Sequence, residues 1–278
     1  MEFLLLRELI VIAGSAISAY TDFKTRLILD KVTYPMIAIG LILNLYEIFL
    51  HGINFDTMLL IGIPLAVFAL GYALYFMGKV GGGDIKLLAG IAMLLPIVEG
   101  AIFVLNVLFV AAMVSIIFIS TYYVAKYFRK GIEIKKDFPT MLRALFYGLA
   151  IILYFSMLLQ LKVMSFEKIA LLGIPIFFAI LFIAFENGIR KNFFLKTVKL
   201  SELEEDEVVA IDFLEKNTVK ELGLKFKGVL GKNEIEKLKK MKIHEVKVYR
   251  QLPPFAPFIL AGVIVSILKP DLILWFFV

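Results

Sequence analysis

The residue with the most chemistry to offer is an aspartate that closes a run of glycines between two long apolar stretches. Gly81-Gly82-Gly83-Asp84 is followed by Ile85-Lys86. A glycine triplet gives up helix propensity, and a carboxylate at the edge of hydrocarbon is costly, so the combination points to a site. One carboxylate can act as an acid or as a base; two can do both. Two carboxylates held about 3 Å apart cannot both ionise cheaply and so share a proton. The ionised one takes a proton from water while the protonated one donates to a scissile carbonyl oxygen. That is metal-free peptide hydrolysis. Asp22 and Asp30 are the candidate partners of Asp84. Asp22 is preferred because it directly follows an apolar run, so a helix end would hold it, whereas Asp30 is placed to cap the next helix.

The glycines fit this chemistry because they let the backbone approach another helix or an extended substrate closely. Their alternative reading is a flexible turn between two helices. A nucleotide-binding loop fits poorly: Gly78-Lys79 is followed by Val80, and the glycine needed five residues earlier is Ala73. Lys24, Arg26 and Lys86 read as cytoplasmic anchors, and Lys86 is also placed to tune the dyad.

These residues must be positioned by membrane helices. The chain of 278 residues is 61% hydrophobic, with a mean hydropathy of +0.90; soluble domains sit near about 45–50% apolar. The expected fold is an all-α polytopic membrane protein of about eight transmembrane helices. The apolar runs cover about 3–20, 34–50, 58–77, 85–98, 101–125, 144–161, 169–185 and 255–268, with a tail at 272–278. A basic loop is expected over 126–143. Residues 187–254 are polar and read as a small cytoplasmic α+β unit inserted before the last helix, with strands at 196–200, 207–213 and 245–249 and an amphipathic helix at 233–241. The expected division is a helical membrane core at 1–186 carrying the site, the polar unit at 187–254, and a final segment at 255–278. Cysteine is absent and only His51 and His244 are present, which excludes disulfides and thiol catalysis and leaves a zinc protease unsupported. No cofactor or metal is expected.

Charge sets the orientation. With the N-terminus outside and one crossing per run, the short cytoplasmic connectors hold eleven basic residues, from Lys24 to Arg143, against Arg7, Lys162, Lys168 and Lys269 outside. Asp22 and Asp84 then lie at one depth, on the cytoplasmic face. Glu47 and Glu186 lie near other helix ends with no glycine-rich setting, and Asn44 and Asn106 read as interhelical hydrogen-bonding residues.

At Gly81-Gly82-Gly83-Asp84 the chain resembles the archaeal branch of the type IV prepilin peptidases, which includes the preflagellin (prearchaellin) peptidases. This is an aspartic protease group with a Gly-x-Gly-Asp motif. Asp22-Phe23-Lys24-Thr25-Arg26 is similar to the group's other catalytic segment, and Pro253-Pro254-Phe255-Ala256-Pro257-Phe258 is similar to the stretch that opens its last helix. The resemblance implies catalytic Asp22 and Asp84, with Gly81, Gly83 and Lys86 supporting them. It implies cleavage of the short basic leader, a class III signal peptide, from pilin or archaellin precursors at the cytoplasmic face of the cell membrane. The protein's partners would be those precursors and the bilayer, with no nucleic acid. The bacterial form's Ile-Pro-Asn is replaced here by Leu27-Ile28-Leu29-Asp30, closer to archaeal members, and its cysteine-rich zinc unit is absent.

Two rival readings fit the sequence less well. The presenilin and signal-peptide-peptidase group shares Gly-x-Gly-Asp, but places its first aspartate in the helix before the motif, and 58–77 contains none. A non-enzymatic ion or proton carrier would line a path through the membrane with acids, and it would show internal repeats; here the acids gather at one face and no repeat is evident.

Overall fold

Each long apolar run becomes a long helix, because helices satisfy every backbone polar group internally where water is absent. The computed structural model describes residues 2–77, 80–132, 134–203, 208–210, 235, 236, 238, 245–249 and 253–277. The first four helices are α1 (Leu4–Thr25), α2 (Asp30–His51), α3 (Phe55–Phe76) and α4 (Gly82–Leu94). A two-stranded hairpin, β1 (Ile97–Val98) and β2 (Ala101–Ile102), then leads into α5 (Phe103–Lys130), α6 (Ile134–Gln160), α7 (Phe166–Ala184) and the short α8 (Glu186–Ile189). Three strands follow: β3 (Leu195–Lys199), β4 (Val208–Val209) and β5 (Glu245–Tyr249). The described chain ends with α9 (Ala256–Leu268) and α10 (Leu272–Phe277).

The protein is mostly helical, and among the described residues six helices (α1, α2, α3, α5, α6 and α7) are long and apolar enough to cross a membrane. The other two expected spans form shorter helices: α4 and α9 have 13 residues each, about 20 Å at 1.5 Å per residue against a hydrocarbon core of about 30 Å. The fourth apolar run is cut short at Leu94 by Leu95-Pro96. Its remainder pairs as the β1–β2 hairpin, turned by Glu99 and Gly100 at φ 50° and 77°. The expected basic loop is nearly absent, because α5 runs through to Lys130 and α6 starts at Ile134.

The main apolar core gathers Val11 of α1, Met36 of α2, Leu87, Ile91 and Leu94 of α4, Phe103 and Val107 of α5, and Ile259 and Val263 of α9. All residues of α4 from Leu87 to Leu94 are buried. This short helix is therefore enclosed by α1, α2 and α3 rather than set against lipid. A second cluster joins Tyr123 and Tyr127 of α5 to Phe185, Ile189 and Phe194. Long α5 links the two, packing on α9 along one part and on α7 along another.

Within 187–254, β3–β5–β4 form an antiparallel sheet, with Leu195 opposite Tyr249 and Val208 opposite Tyr249 on the other side. Val198, Val209, Val246 and Val248 face one way and cover Ile235 and Leu238. The rest of the expected 233–241 helix and of the 207–213 strand lies outside the described residues, as do Gly78 and Lys79.

Candidate functional site

The site is built where three chain segments meet. The first is the last turn of α1. Its buried face runs Arg7, Val11, Gly14, Ser15, Ser18, Ala19 and Asp22, a helical stripe that ends on the carboxylate. The helix runs past the expected boundary to Thr25, so Asp22 lies inside it rather than after it. Asp22 is buried. Its backbone carbonyl accepts the Arg26 N–H at 2.9 Å, and Arg26 ends the helix in the left-handed region.

The second segment is the start of α9. The Ala256 N–H donates to Asp22 Oδ2 at 3.0 Å. It is one of the helix's unpaired first-turn donors, and a helix N-terminus favours negative charge. Pro254 and Pro257 flank it and have no N–H to compete for the carboxylate.

The third segment is the glycine run. Gly81 is the N-cap of α4, while Gly82 and Gly83 lie within its first turn with Asp84. They are therefore helical, and close approach explains them rather than flexibility. A Cβ on Gly83 would stand 2.9 Å from the Cβ of Ile28, in the connector after α1. A Cβ on Gly81 would stand 3.0 Å from Asp84 Oδ2. Only glycine lets α4 press its first turn against that connector and leaves the Asp84 carboxylate room to turn back.

Asp84 lies outside the six spanning helices and is half-buried. Burial, and then the charge of Asp22, push its carboxyl up to about 7, against a hydrogen bond from the Gly81 backbone. Two aspartates 62 positions apart in sequence are thus close enough to feel each other. The two carboxylates differ in surroundings: Asp22 accepts from the Ala256 amide, while burial favours the protonated form of Asp84.

Asp30 is engaged elsewhere. It is the first residue of α2, and its Oδ1 accepts from Lys86 Nζ at 2.7 Å. Lys86 also stands 5.2 Å from the Tyr34 ring centroid. The hydrogen bond to Asp30 raises the Lys86 ammonium above its ordinary value. Lys86 therefore ties α4 to the start of α2. The helix before the glycines, α3, carries one aspartate, Asp56; it lies in the first turn, about 30 Å from the end that approaches Asp84. Among the described residues no group of three or more histidine, aspartate or glutamate side chains could hold a metal ion.

Two buried groups were not singled out from the sequence. Arg7 is fully buried. Its guanidinium donates to Asn44 Oδ1 at 2.7 Å, to the Leu94 carbonyl at 2.9 Å and to Glu47 Oε1 at 3.2 Å. Asn44 in turn donates to the Met93 and Leu60 carbonyls. The signal was an arginine inside an apolar run, which inside a membrane needs partners. Asp137 is also fully buried, accepting from Tyr127 Oη at 2.7 Å and from the Gly188 N–H at 3.0 Å. Its position among the basic residues of 126–143 gave no hint of this.

Residues 9–118, a stretch that contains both Asp22 and Asp84, match the Type IV leader peptidase family. Among curated proteins, the chain is 32% identical over 92 residues to the prepilin peptidase EppA of Methanothermobacter thermautotrophicus, covering 33% of this chain and 24% of that one. It is 37% identical over 84 residues to the preflagellin peptidase of Methanocaldococcus jannaschii, covering 30% of this chain and 35% of that one. The chain thus spans about a quarter to a third of the length of these relatives. No solved structure matches it.

Proposed function

We propose that this protein is a membrane aspartic endopeptidase that removes the short basic leader from pilin-like or archaellin precursors. The observation that carries the proposal is the meeting of Asp22 and Asp84 from separate helices, one on a helix-N-terminal amide and the other half-buried beside it. The family match over 9–118 and the names of the two archaeal relatives support the same reading.

Asp22, as carboxylate, takes a proton from a water molecule between the two aspartates. The water oxygen attacks the scissile carbonyl carbon while Asp84 donates its proton to the carbonyl oxygen. Collapse of the tetrahedral diol breaks the C–N bond, the leaving nitrogen takes the proton held by Asp22, and the diol returns one to Asp84. The products are the leader's new carboxylate and the mature chain's new amine. Gly81 and Gly83 set the position of Asp84, and Lys86 holds the start of α4 through Asp30.

The N-terminus lies outside, and both aspartates face the cytoplasm at the cell membrane. The hairpin after α4 and the segment after α9 complete the crossings that these 13-residue helices leave short, giving eight passes. The cytoplasmic α+β unit between the 1–186 core and the final segment is built on the β3–β5–β4 sheet, which meets the core through Tyr249.

Co-expression with a tagged pilin precursor tests this reading. Asp22→Asn and Asp84→Asn each abolish the shortened product while the protein still accumulates in the membrane, and Asp30→Asn retains cleavage. Full processing by Asp84→Asn would overturn the proposal.

A further inference from the structure

Beside Asp22 lies an open cavity of about 680 Å³. Its wall includes Phe23 and Arg26 at the end of α1, Phe118 and Tyr122 on α5, and Pro257 and Ala261 on α9. Two of its walls are extensions of the site. Phe23 is the residue after Asp22, and Pro254 and Pro257, which also border the cavity, bracket the Ala256 amide that holds the Asp22 carboxylate. The cavity therefore borders the two segments that hold the Asp22 carboxylate.

The lining is mostly aromatic and aliphatic, and the one charged side chain in it is Arg26. A second cation stands at its edge, where Lys126 Nζ lies 5.5 Å from the Tyr122 ring centroid. Apolar walls with a cationic rim suit one half of a leader-bearing precursor and reject the other. The basic leader meets like charge here, while the apolar residues beyond the cut meet aromatic surface. The volume is that of a pocket holding several side chains.

Resting on the peptidase reading above, we infer that this cavity is the specificity pocket for the apolar side of the scissile bond, and that Ala261 and Phe118 set the size of side chain it accepts. Ala261 lies one turn beyond Pro257 on α9, and Phe118 faces α9 across the cavity with its ring 5.8 Å from that of Phe258. Phe118 on α5 and Ala261 on α9 stand on different elements from Asp22 and Asp84.

The test uses the full-length protein in membranes and a set of tagged precursors with Ala, Leu, Phe or Trp as the first residue after the cut. Ala261→Phe narrows the pocket, raising KM for the Phe and Trp precursors by about tenfold or more relative to the Ala precursor. Phe118→Ala enlarges it and shifts preference the other way, improving kcat/KM for the Trp precursor by about tenfold over wild type. The alkaline limb of the pH profile stays in place in both variants, as a pocket role requires. If wild type cleaves and both variants rank the precursors as wild type does, the pocket assignment is overturned and the peptidase reading stands; a cavity filled by lipid gives this result. If wild type cleaves none of the four, the peptidase reading falls, and the pocket assignment with it.

Discussion

A carboxyl that keeps its proton to about pH 7 ties both chemistry and stability to pH. As the proposed general acid, Asp84 must be protonated, so kcat/KM should fall as pH rises through about 7, tenfold per unit beyond it. Stability follows the same proton. Between the ordinary 3.8 and about 7 the folded state holds a proton that the unfolded chain has released. Stability is therefore highest below about 4 for this group and declines by about 1.4 kcal/mol per pH unit up to about 7. Thermal midpoints in detergent should fall across that window in wild type, and Asp84→Asn should flatten the fall. A wild-type midpoint that rises over the window would contradict the assignment. Lys86 is a control. Its ion pair with Asp30 is partly exposed, and such pairs contribute about 0–1 kcal/mol. Lys86→Met should then leave precursor cleavage within a few-fold of wild type and the alkaline limb unmoved.

At the scale of elements, the question is what keeps so short a helix as α4 in register. Its last carbonyls end inside the protein, where water cannot satisfy them. Arg7 supplies a donor to Leu94 and Asn44 one to Met93, and the guanidinium is itself neutralised by Glu47. A cation at a helix C-terminus also suits the helix dipole. Arg7→Met leaves the Glu47 carboxylate buried without its cation and the Leu94 carbonyl without a donor, a loss of about 3–5 kcal/mol that should appear as poor accumulation or a lowered midpoint. At the other end of α4, Gly83→Ala pushes a methyl group into Ile28. The expected cost is about 1–3 kcal/mol in stability. A displaced Asp84 should also lower kcat by about 100-fold, so the protein should accumulate but process precursors poorly.

Much of this could be read from residue types alone. The long apolar runs named the spanning helices, because hydrocarbon demands them. Gly81 to Asp84 stood out because glycines and a carboxylate are costly there. The same logic preferred Asp22 over Asp30 as the partner of Asp84, from its place at the end of an apolar run. The choice between Asp22 and Asp30 turns on Lys86 and the Ala256 amide, which lie 56 and 234 residues from their partners, and no local pattern reports contacts at that distance. The end of α4 was misjudged for the opposite reason, since Leu95, Pro96, Ile97 and Val98 are as apolar as the helix before them. Pro96 forces Leu95 out of the helical region, and tertiary capping by Arg7 and Asn44 satisfies the last carbonyls of the helix that stops at Leu94.

The whole molecule divides its work between two cores joined by α5. The first, around α4, holds the aspartates; the second, around Tyr127, Phe185 and Ile189, holds α6 to α8 and receives Tyr249 from the sheet. Asp137 is the polar centre of the second. It accepts from Tyr127 of α5 and from Gly188 of α8, and Thr140 beside it donates to the Ala184 carbonyl where α7 ends. A Cβ on Gly188 would lie far too close to the Tyr127 ring, so this joint admits no looser packing without movement. Tyr127→Phe removes one buried hydrogen bond and leaves a carboxylate oxygen without its donor, a loss of about 1–3 kcal/mol. If the two cores are as separate as their contacts indicate, the loss should stay local. Proteolysis between α7 and β5 should quicken, while the alkaline limb set by Asp84 stays near pH 7. An alkaline limb that moves with Tyr127→Phe would mean that α5 transmits strain from the second core to the aspartates, and that the two halves act as one.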